Sequence, residues 1–118
     1  MKRARHRSKI SLRIYLEDDV AIGPGKADLL EAIRATGTIA EAGRRLDMSY
    51  KRAWMLVETM NRCFRSPLVE TSKGGAARGG ATLTALGADV LERYRTMEAT
   101  AQKAVRDNMI RFKALLAR

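Results

Sequence analysis

The sequence predicts a mainly α-helical fold with a small β-sheet, and three observations lead to that prediction. Apolar residues recur at intervals of three or four over most of the chain, which is the spacing of amphipathic helices. Two short segments, 69–72 and 81–83, flank the glycine-rich sequence KGGAARGG and can pair as strands of a hairpin. Good N-cap residues stand where several helical patterns begin. With 118 residues, the chain has the size of one domain.

Two segments precede the first predicted helix. Residues 1–9 are basic and have almost no apolar side chains to bury, so we expect a disordered arm. Apolar residues then occupy every second position, which is the period of a half-buried strand. They are Ile10, Leu12, Ile14 and Leu16. We expect this strand to add to the sheet of the later hairpin.

The first helix is predicted from about Lys26 to Thr36. The segment 17–25, with its acidic residues and its Gly-Pro-Gly sequence, ends the strand and introduces this helix. Gly37 stands at the position of a C-cap, where the left-handed conformation suits glycine. The inward positions of the helix are Ala27, Leu30 and Ile33.

The second helix is predicted to begin at Thr38. Thr38 and Glu41 have the spacing of a capping box, in which each side chain accepts a hydrogen bond from a backbone donor of the first turn. A stripe of apolar and small residues follows, so another helix can approach closely. It consists of Ile39, Ala42, Gly43 and Leu46. Asp47 then tolerates the unusual backbone conformation that a three-residue turn requires.

Ser49 is the predicted N-cap of a third helix that continues to about Phe64. Its inward stripe is predicted to be Ala53, Leu56 or Val57, Met60 and Phe64. Its first turns then expose Tyr50, Lys51, Arg52 and Met55. Two crossed helices joined by a three-residue turn form a helix-turn-helix, and the following hairpin is typical of a wing.

Thr84 is the predicted N-cap of a last helix that spans 84–118, beside a winged domain at 10–83. Its apolar stripe is Leu86, Val90, Tyr94, Met97, Ala101, Val105, Met109, Phe112 and Leu116. A helix of about 30 residues spans roughly 45 Å, which exceeds what a domain of this size covers. We therefore expect this stripe to form the interface of a homodimer. A frayed end beyond about Gln102, or a separate effector protein as the partner, are the alternatives.

The composition favours a polyanionic partner. Lys and Arg number 23 against 13 Asp and Glu, which leaves a net charge of +10. The single cysteine, Cys63, excludes an internal disulfide and a four-cysteine zinc site, and we expect no metal. The sequence shows neither a membrane-spanning stretch nor a signal peptide, so we expect a cytoplasmic protein without a membrane partner.

Several motifs occur in the order found in one bacterial family. They are TGTIAEAGRRLDMSYKRAWMLVETMN, LVE, a GG pair with a second GG five residues on, and LTALG. This series resembles the N-terminal DNA-binding domain of the ModE family of molybdate-responsive, LysR-like transcription regulators, and SYKRAW is its most specific part. The resemblance extends from about Ile10 to Val105. Asp47 and Arg52 depart from the family pattern, which favours glycine and a small residue there.

The resemblance implies a winged helix-turn-helix that dimerises and binds palindromic operators, as a regulator and in our interpretation a repressor. Full-length members bind molybdate on separate C-terminal domains. Those domains have no counterpart in this sequence, so molybdate enters only through the resemblance and no residue is assigned to it. We expect no cofactor in this chain.

The N-terminal turn of the second helix of a helix-turn-helix reaches base edges in the major groove. Lys51 and Arg52 are therefore the first candidates for base contacts in double-stranded DNA, with Met55 beside them. Ser49 and Tyr50 are candidates for phosphate contacts, although Tyr50 packing on the preceding helix is an alternative. Trp54 is more typical of a core residue than of a stacking residue.

In the wing, Lys73 and Arg78 are predicted to contact the DNA backbone or minor groove. The basic arm either contacts DNA in the same way or is a solvated tail without a function. A nucleotide-binding loop is disfavoured because the GK[ST] ending is missing. Catalysis is not expected, since His6 lies in the arm and Cys63 has no histidine partner. Two other functions remain open: an architectural DNA-binding protein with little sequence preference, and a protein-interaction adaptor.

Overall fold

The computed structural model describes residues 9–72 and 79–117, and these residues form five helices and four short strands. The elements are β1 (Ile14–Leu16), β2 (Asp19–Ile22), α1 (Pro24–Thr36), α2 (Ile39–Arg45), α3 (Tyr50–Cys63), β3 (Val69–Thr71), β4 (Ala81–Leu83), α4 (Ala85–Ala104) and α5 (Arg106–Lys113). The predicted mainly α-helical fold with a small β component is confirmed. Of the predicted arm, 1–9, only Lys9 is among the described residues, and it is exposed.

Helix α1 has the predicted end and an earlier start. Pro24 occupies the first turn, where its missing N–H has no intrahelical partner to lose. Gly37 has a φ of 82°, and its N–H donates to the carbonyl of Ile33 at 2.8 Å. The helix crosses the centre of the molecule, and Leu29, Leu30 and Ile33 on it have no exposed surface.

Helices α2 and α3 form the predicted helix-turn-helix. Asp47 has a φ of 59°, the left-handed conformation that the turn requires. A Cβ added at Gly43 would lie 3.2 Å from the Cβ of Ala53 and 3.3 Å from the carbonyl oxygen of Met48. The two helices therefore cross at a distance that only a small residue permits at this position.

The capping box is only half formed. The backbone N–H of Glu41 donates to the Thr38 hydroxyl at 3.0 Å, as predicted. The Glu41 carboxylate does not return to the Thr38 backbone, because it pairs with Arg44 at 2.6 Å. The N–H of Thr38 instead faces the hydroxyl of Thr36 at 3.5 Å. The charged guanidinium of Arg44, three residues along the same helix, is a stronger hydrogen-bond donor to this carboxylate than a backbone N–H.

The prediction that the first strand joins the wing's sheet is wrong. Only Ile14–Leu16 is a strand, and it pairs with β2 in a separate antiparallel hairpin in which Leu16 faces Asp19. Glu17 has a φ of 55°, a conformation that suits a two-residue hairpin turn. The acidic segment therefore reverses the chain instead of simply ending the strand.

Two contacts hold the N-terminal part of the chain on the helices. The ammonium group of Lys26 donates to the carbonyl of Val20, and burial lowers the pKa of this amine. The side chain of Gln102 donates to the carbonyl of Ile10 at 2.9 Å. Residues 10–12 thus lie along α4 as extended chain.

The last predicted helix is interrupted at Val105, which has φ −105° and ψ 12° and separates α4 from α5. The hydrogen bonds from Val105 to Ala101 and from Met109 to Val105 persist at 3.2 and 2.8 Å, so the break is a local distortion. No residue of α5 is buried. Packing therefore does not hold this segment in line with α4.

Candidate nucleic-acid interface

The N-terminal half of α3 presents the residues that the sequence assigns to DNA contact. The side chains of Tyr50, Lys51, Arg52 and Met55 are exposed, and Ala53 and Val57 of the same helix are buried against the core. The inward stripe also includes Met60, as predicted. The helix thus turns one face to the core and offers the other to a partner.

The N-cap orients the start of this surface. The Ser49 hydroxyl accepts a hydrogen bond from the backbone N–H of Arg52 at 3.0 Å. Its own proton is not used in that bond and remains able to donate. The other N–H groups of the first turn have no intrahelical partner, and the helix dipole adds positive potential there.

Lys51 and Arg52 add positive charge to the same helix end. Among the described residues, neither side chain has a carboxylate within the 4.0 Å of an ion pair. Arg44 on α2 differs, because Glu41 neutralises it. Two exposed cations without a carboxylate partner among the described residues therefore lie side by side at the start of α3.

Trp54 and Tyr50 form a pair on this helix. The indole N–H of Trp54 donates to the Tyr50 hydroxyl oxygen at 2.6 Å, across one helical turn. Trp54 is half-buried and packs against the core, as predicted, whereas Tyr50 is 56% exposed. Tyr50 therefore does not pack into the preceding helix; its side chain lies on the exposed surface of α3 beside Trp54.

The wing is attached to α3 by Asn61, a residue that the sequence analysis did not identify. Its side-chain oxygen accepts hydrogen bonds from the N–H groups of Leu68 and Val69 at 2.8 and 3.2 Å. Its side-chain amide donates to the carbonyl of Val69 at 3.1 Å. The sequence feature that could have indicated this role is a polar side chain, Asn61, directly after the inward Met60.

The hairpin itself is the predicted one. Strands β3 and β4 are antiparallel, with Val69 opposite Leu83 and Thr71 opposite Ala81. Lys73 and Arg78, the predicted wing contacts, lie outside the described residues. The backbone N–H of Ala81 donates to Gly37 at 2.7 Å, so the base of the wing also contacts the loop that precedes α2.

Thr84 and Gly87 lock α4 to the base of the wing. The Thr84 hydroxyl donates to the carbonyl of Pro67 at 2.8 Å and accepts from the N–H of Gly87 at 2.9 Å. A Cβ at Gly87 would overlap the carbonyl group of Leu68. The LTALG motif thus has a structural purpose: its glycine lets the helix pass directly over the loop before β3.

An ion-pair cluster joins α4 to α1. The guanidinium of Arg95 contacts Asp28 at 2.9 Å, Glu98 at 3.0 Å, and Glu31. Burial acts to lower the pKa of Arg95, but hydrogen bonds to Asp28, Glu98 and Glu31 outweigh it, and the net shift is upward. Helix α4 is therefore fixed against the same helix that supports the helix-turn-helix.

Tyr94, a predicted interface residue, is buried by its own chain. It is 1% exposed, and its hydroxyl donates to the carbonyl of Leu12 at 2.8 Å. Burial in its own chain raises the pKa of Tyr94 to about 12. Leu91, which the sequence analysis did not place in the stripe, is buried as well.

The other predicted interface residues fall into two groups. Leu86 and Val90 are half-buried against their own core. The remaining positions are half-buried or exposed: Met97, Ala101, Val105, Met109, Phe112 and Leu116. The exposed apolar surface of the stripe therefore lies in its second half.

A groove between the β1–β2 hairpin, the end of α3 and the middle of α4 adjoins this exposed stripe. It has a volume of about 340 Å³ and an almost entirely apolar lining. The lining includes Ile14, Leu16, Phe64, Val90 and Met97. Covering Ile14 and Leu16 by a partner would be favourable, because transfer of apolar surface out of water lowers the free energy.

The part of the chain that the structure describes contains neither a membrane-spanning helix nor a cluster of metal ligands. No helix there is both long and apolar enough to cross a membrane. Within the same residues, His, Cys, Asp and Glu side chains do not gather in groups of three or more around a potential metal position.

A solved structure establishes the class of fold. The chain superimposes on the chain described as "Crystal structure of CbnR_DBD-DNA complex" with a TM-score of 0.57 and 23% sequence identity, over 71% of this chain and 91% of that one. The neighbour is a winged-helix DNA-binding domain. The chain therefore has a winged-helix fold of this kind, with a helix-turn-helix, a hairpin wing and a long helix after it.

Curated relatives give a more particular result, although no family model matches the chain. The molybdenum-pterin-binding protein MopA of Rhodobacter capsulatus is 40% identical over 84 residues, 71% of this chain and 32% of that protein. The DNA-binding transcriptional dual regulator ModE of Escherichia coli K12 is 32% identical over 97 residues, 82% of this chain and 37% of that protein. The chain is thus a homologue of the N-terminal region of ModE transcriptional regulators, which confirms the resemblance seen in the sequence.

The chain spans about a third of the length of these two relatives. The ModE relatives are transcription regulators and not enzymes, in agreement with the prediction of a non-catalytic protein. Because the match covers only this share of the relatives, what the whole relatives bind and regulate is a matter for proposal in this chain.

Proposed function

We propose that this chain is a sequence-specific DNA-binding transcription regulator of the ModE type that binds a palindromic operator as a homodimer. The observation that supports this most is the exposed start of α3, where Lys51 and Arg52 have no carboxylate partner among the described residues. A solvated helix face normally mixes charges of both signs. A cationic helix end presented by a helix-turn-helix suits the DNA major groove.

In the proposed complex, Arg52 donates two hydrogen bonds to guanine, a contact that contributes about 1 to 3 kcal/mol of discrimination. Lys51 contacts a neighbouring base edge, and Met55 packs against the thymine methyl groups of the groove. Ser49 and Tyr50 donate to phosphate oxygens and so set the position of the helix on the backbone. Ser49 caps α3, and the other four side chains are exposed on the first two turns of this helix.

The wing supplies affinity in this proposal. Lys73 and Arg78 contact phosphates or the minor groove, contacts that depend little on sequence and strongly on salt. The attachment of β3 to α3 through Asn61 supports this role, because it couples the direction of the wing to that of the recognition helix. The basic arm at 1–9 adds a second backbone contact.

The dimer is proposed to form through the exposed half of the stripe together with the adjoining groove. Met97, Phe112 and Leu116 keep 43%, 56% and 42% of their surface exposed in the single chain. Two-fold symmetry then places two α3 helices in successive major grooves, with half-sites about one helical turn apart. We propose that such a dimer represses transcription in the cytoplasm by occupying its operator.

Selection of binding fragments from a random duplex pool at about physiological salt, followed by sequencing, tests the proposal. An enriched palindrome is the expected result. Binding without enrichment would identify an architectural protein, and no binding would favour the adaptor. A parallel selection with molybdate shows whether the chain, or the chain with a separate effector protein, responds to that anion.

A further inference from the structure

We infer that Trp54 is a positioning residue for DNA binding, because it holds the Tyr50 hydroxyl as a hydrogen-bond donor toward a phosphate oxygen. This inference rests on the proposed function and adds to it a residue that does not itself touch DNA. The main observation behind this inference is the hydrogen bond that the Trp54 indole N–H donates to the Tyr50 hydroxyl oxygen at 2.6 Å.

The chemistry of the two groups sets the direction of this bond. An indole N–H donates and never accepts, so the phenol oxygen must be the acceptor. The proton of the Tyr50 hydroxyl then points away from the indole. The Tyr50 O–H therefore points outward as a donor, and a group that it binds must be a hydrogen-bond acceptor.

The burial of the two side chains supports the division of roles. Trp54 is half-buried against the core, which fixes the direction of its N–H. Tyr50 is 56% exposed, and its ring is free to contact a partner. An exposed tyrosine with no anchor samples several rotamers, and binding would then have to restrict them. The indole removes part of that freedom before DNA arrives.

The surroundings favour phosphate as the acceptor. Tyr50 is the first residue of α3, directly after the Ser49 cap, and Lys51 follows it. Positive potential from the helix end and from Lys51 attracts an anion to this place. A hydrogen bond that the phenol accepts also polarises the one that it donates, so the chain from indole to phenol to phosphate strengthens each link.

Substitution of each partner, alone and together, tests the inference. Tyr50→Phe removes the donor and is expected to weaken binding about tenfold, a typical loss for a hydrogen bond to a charged group. Trp54→Phe keeps an aromatic ring and removes only the indole N–H and its fused ring; a loss of about threefold is expected. The double variant should bind like Tyr50→Phe, because Trp54 acts through Tyr50.

A phosphate contact has two further signatures. The loss should be the same on the selected operator and on an unrelated duplex of equal length, since phosphates are present in both. The dependence of affinity on salt should keep its slope, because the phenol carries no charge. Thr96→Ala is the control: it removes an exposed hydroxyl from α4, outside the groove and the apolar stripe, and this variant should bind as the parent does.

Trp54 is the chain's single tryptophan, which permits a spectroscopic and an isosteric test. Indole fluorescence of the free protein should change in Tyr50→Phe, as the N–H exchanges a phenol for water. Global replacement of tryptophan by benzothienylalanine changes only this residue and exchanges N–H for sulfur in the same shape. It should reproduce the affinity of Trp54→Phe without the change in packing.

The outcomes separate this inference from the proposed function. If the parent protein binds no DNA, the proposed function itself fails. If the parent binds and either single variant binds equally well, Trp54 has no positioning role. Losses that add in the double variant, or a loss confined to the operator, would also overturn the inference, since they mean independent contacts or a base contact.

Discussion

The winged domain and α5 differ in how far their apolar side chains are buried and their helix ends are capped. In the winged domain, Thr38 and Ser49 cap helices, and Leu29, Leu30 and Ile33 of α1 have no exposed surface. In α5, no residue is buried, and Phe112 and Leu115 are exposed. The two regions share the same helical periodicity, so periodicity alone does not reveal whether a face is covered by its own chain.

The comparison teaches where each kind of function resides. The first region is complete within one chain and can present a surface, the start of α3, without rearranging. The second has an apolar face that its own chain leaves open, which is what a protein partner requires. DNA contact and self-association should therefore respond to different substitutions.

The largest expected effect is on DNA affinity. Replacing Lys51 and Arg52 together by Glu should weaken operator binding at least a hundredfold, because two attractive charges become repulsive and the base contacts disappear. Both side chains are exposed, so the free energy of unfolding should change little. Fluorescence anisotropy of a labelled operator measures the first quantity and thermal unfolding the second. Replacing Lys103 and Arg106 together by Glu, an equal charge change on exposed residues outside α3, is the control that should retain most of the affinity.

Next in size is a change at the junction of the two regions. Gly87→Ala should lower the free energy of unfolding by about 3 kcal/mol, because the new methyl group overlaps the Leu68 carbonyl and backbone must move. Gly25→Ala is the matched control, since nothing lies within 4 Å of its Cβ position. Chemical denaturation measures both variants. Equal stability of the two would mean that α4 does not pass so closely over the loop.

Alkaline pH should weaken the attachment of α4. The pKa of Tyr94 is raised to about 12 in the folded state, above its ordinary value of 10.0. The stabilisation from the neutral phenol is present below pH 10 and is lost as the pH rises from about 10 to about 12. About 2 kcal/mol of unfolding free energy should disappear over this range. Denaturation curves between pH 8 and 12 measure it, and Tyr94→Phe should flatten the profile.

The smallest effect on the fold should come from α5. Phe112→Ser should change the free energy of unfolding of the single chain by less than about 0.5 kcal/mol, since the side chain is 56% exposed. The same substitution should weaken self-association about tenfold, because an apolar contact between copies is lost. Analytical ultracentrifugation over a concentration series checks this. Glu92→Ser on the exposed side of α4 should leave the association constant unchanged.

Local patterns predicted the winged domain well. The caps at Thr38, Ser49 and Thr84, the left-handed Asp47 and the glycine after α1 were all evident, because each depends on residues within one or two turns of helix. The exposed start of α3 follows from the same local logic. These features placed the candidate DNA-binding residues on a surface before any tertiary contact was known.

The features that the sequence did not predict depend on which element lies beside which. The burial of Tyr94 by Leu12 joins residues far apart in the chain. The pairing of β1 with β2 and the anchoring of the wing by Asn61 are closer in sequence, yet each depends on the choice of a neighbouring element. The Trp54 to Tyr50 hydrogen bond is local, yet its use depends on the core that holds the indole in place. Sequence spacing does not contain that information.

The sequence by itself determined the helix-turn-helix, its caps, its basic outer face and the kinship with ModE regulators, because these reside in short-range spacing and residue chemistry. The tertiary structure alone decided which half of the last stripe is covered, how the wing is attached to α3, and which chain segment closes over Tyr94. The physical reason is that burial is a property of neighbours in space. An amphipathic pattern predicts that one face of a helix is buried, and only the packing of the elements decides which neighbour buries it.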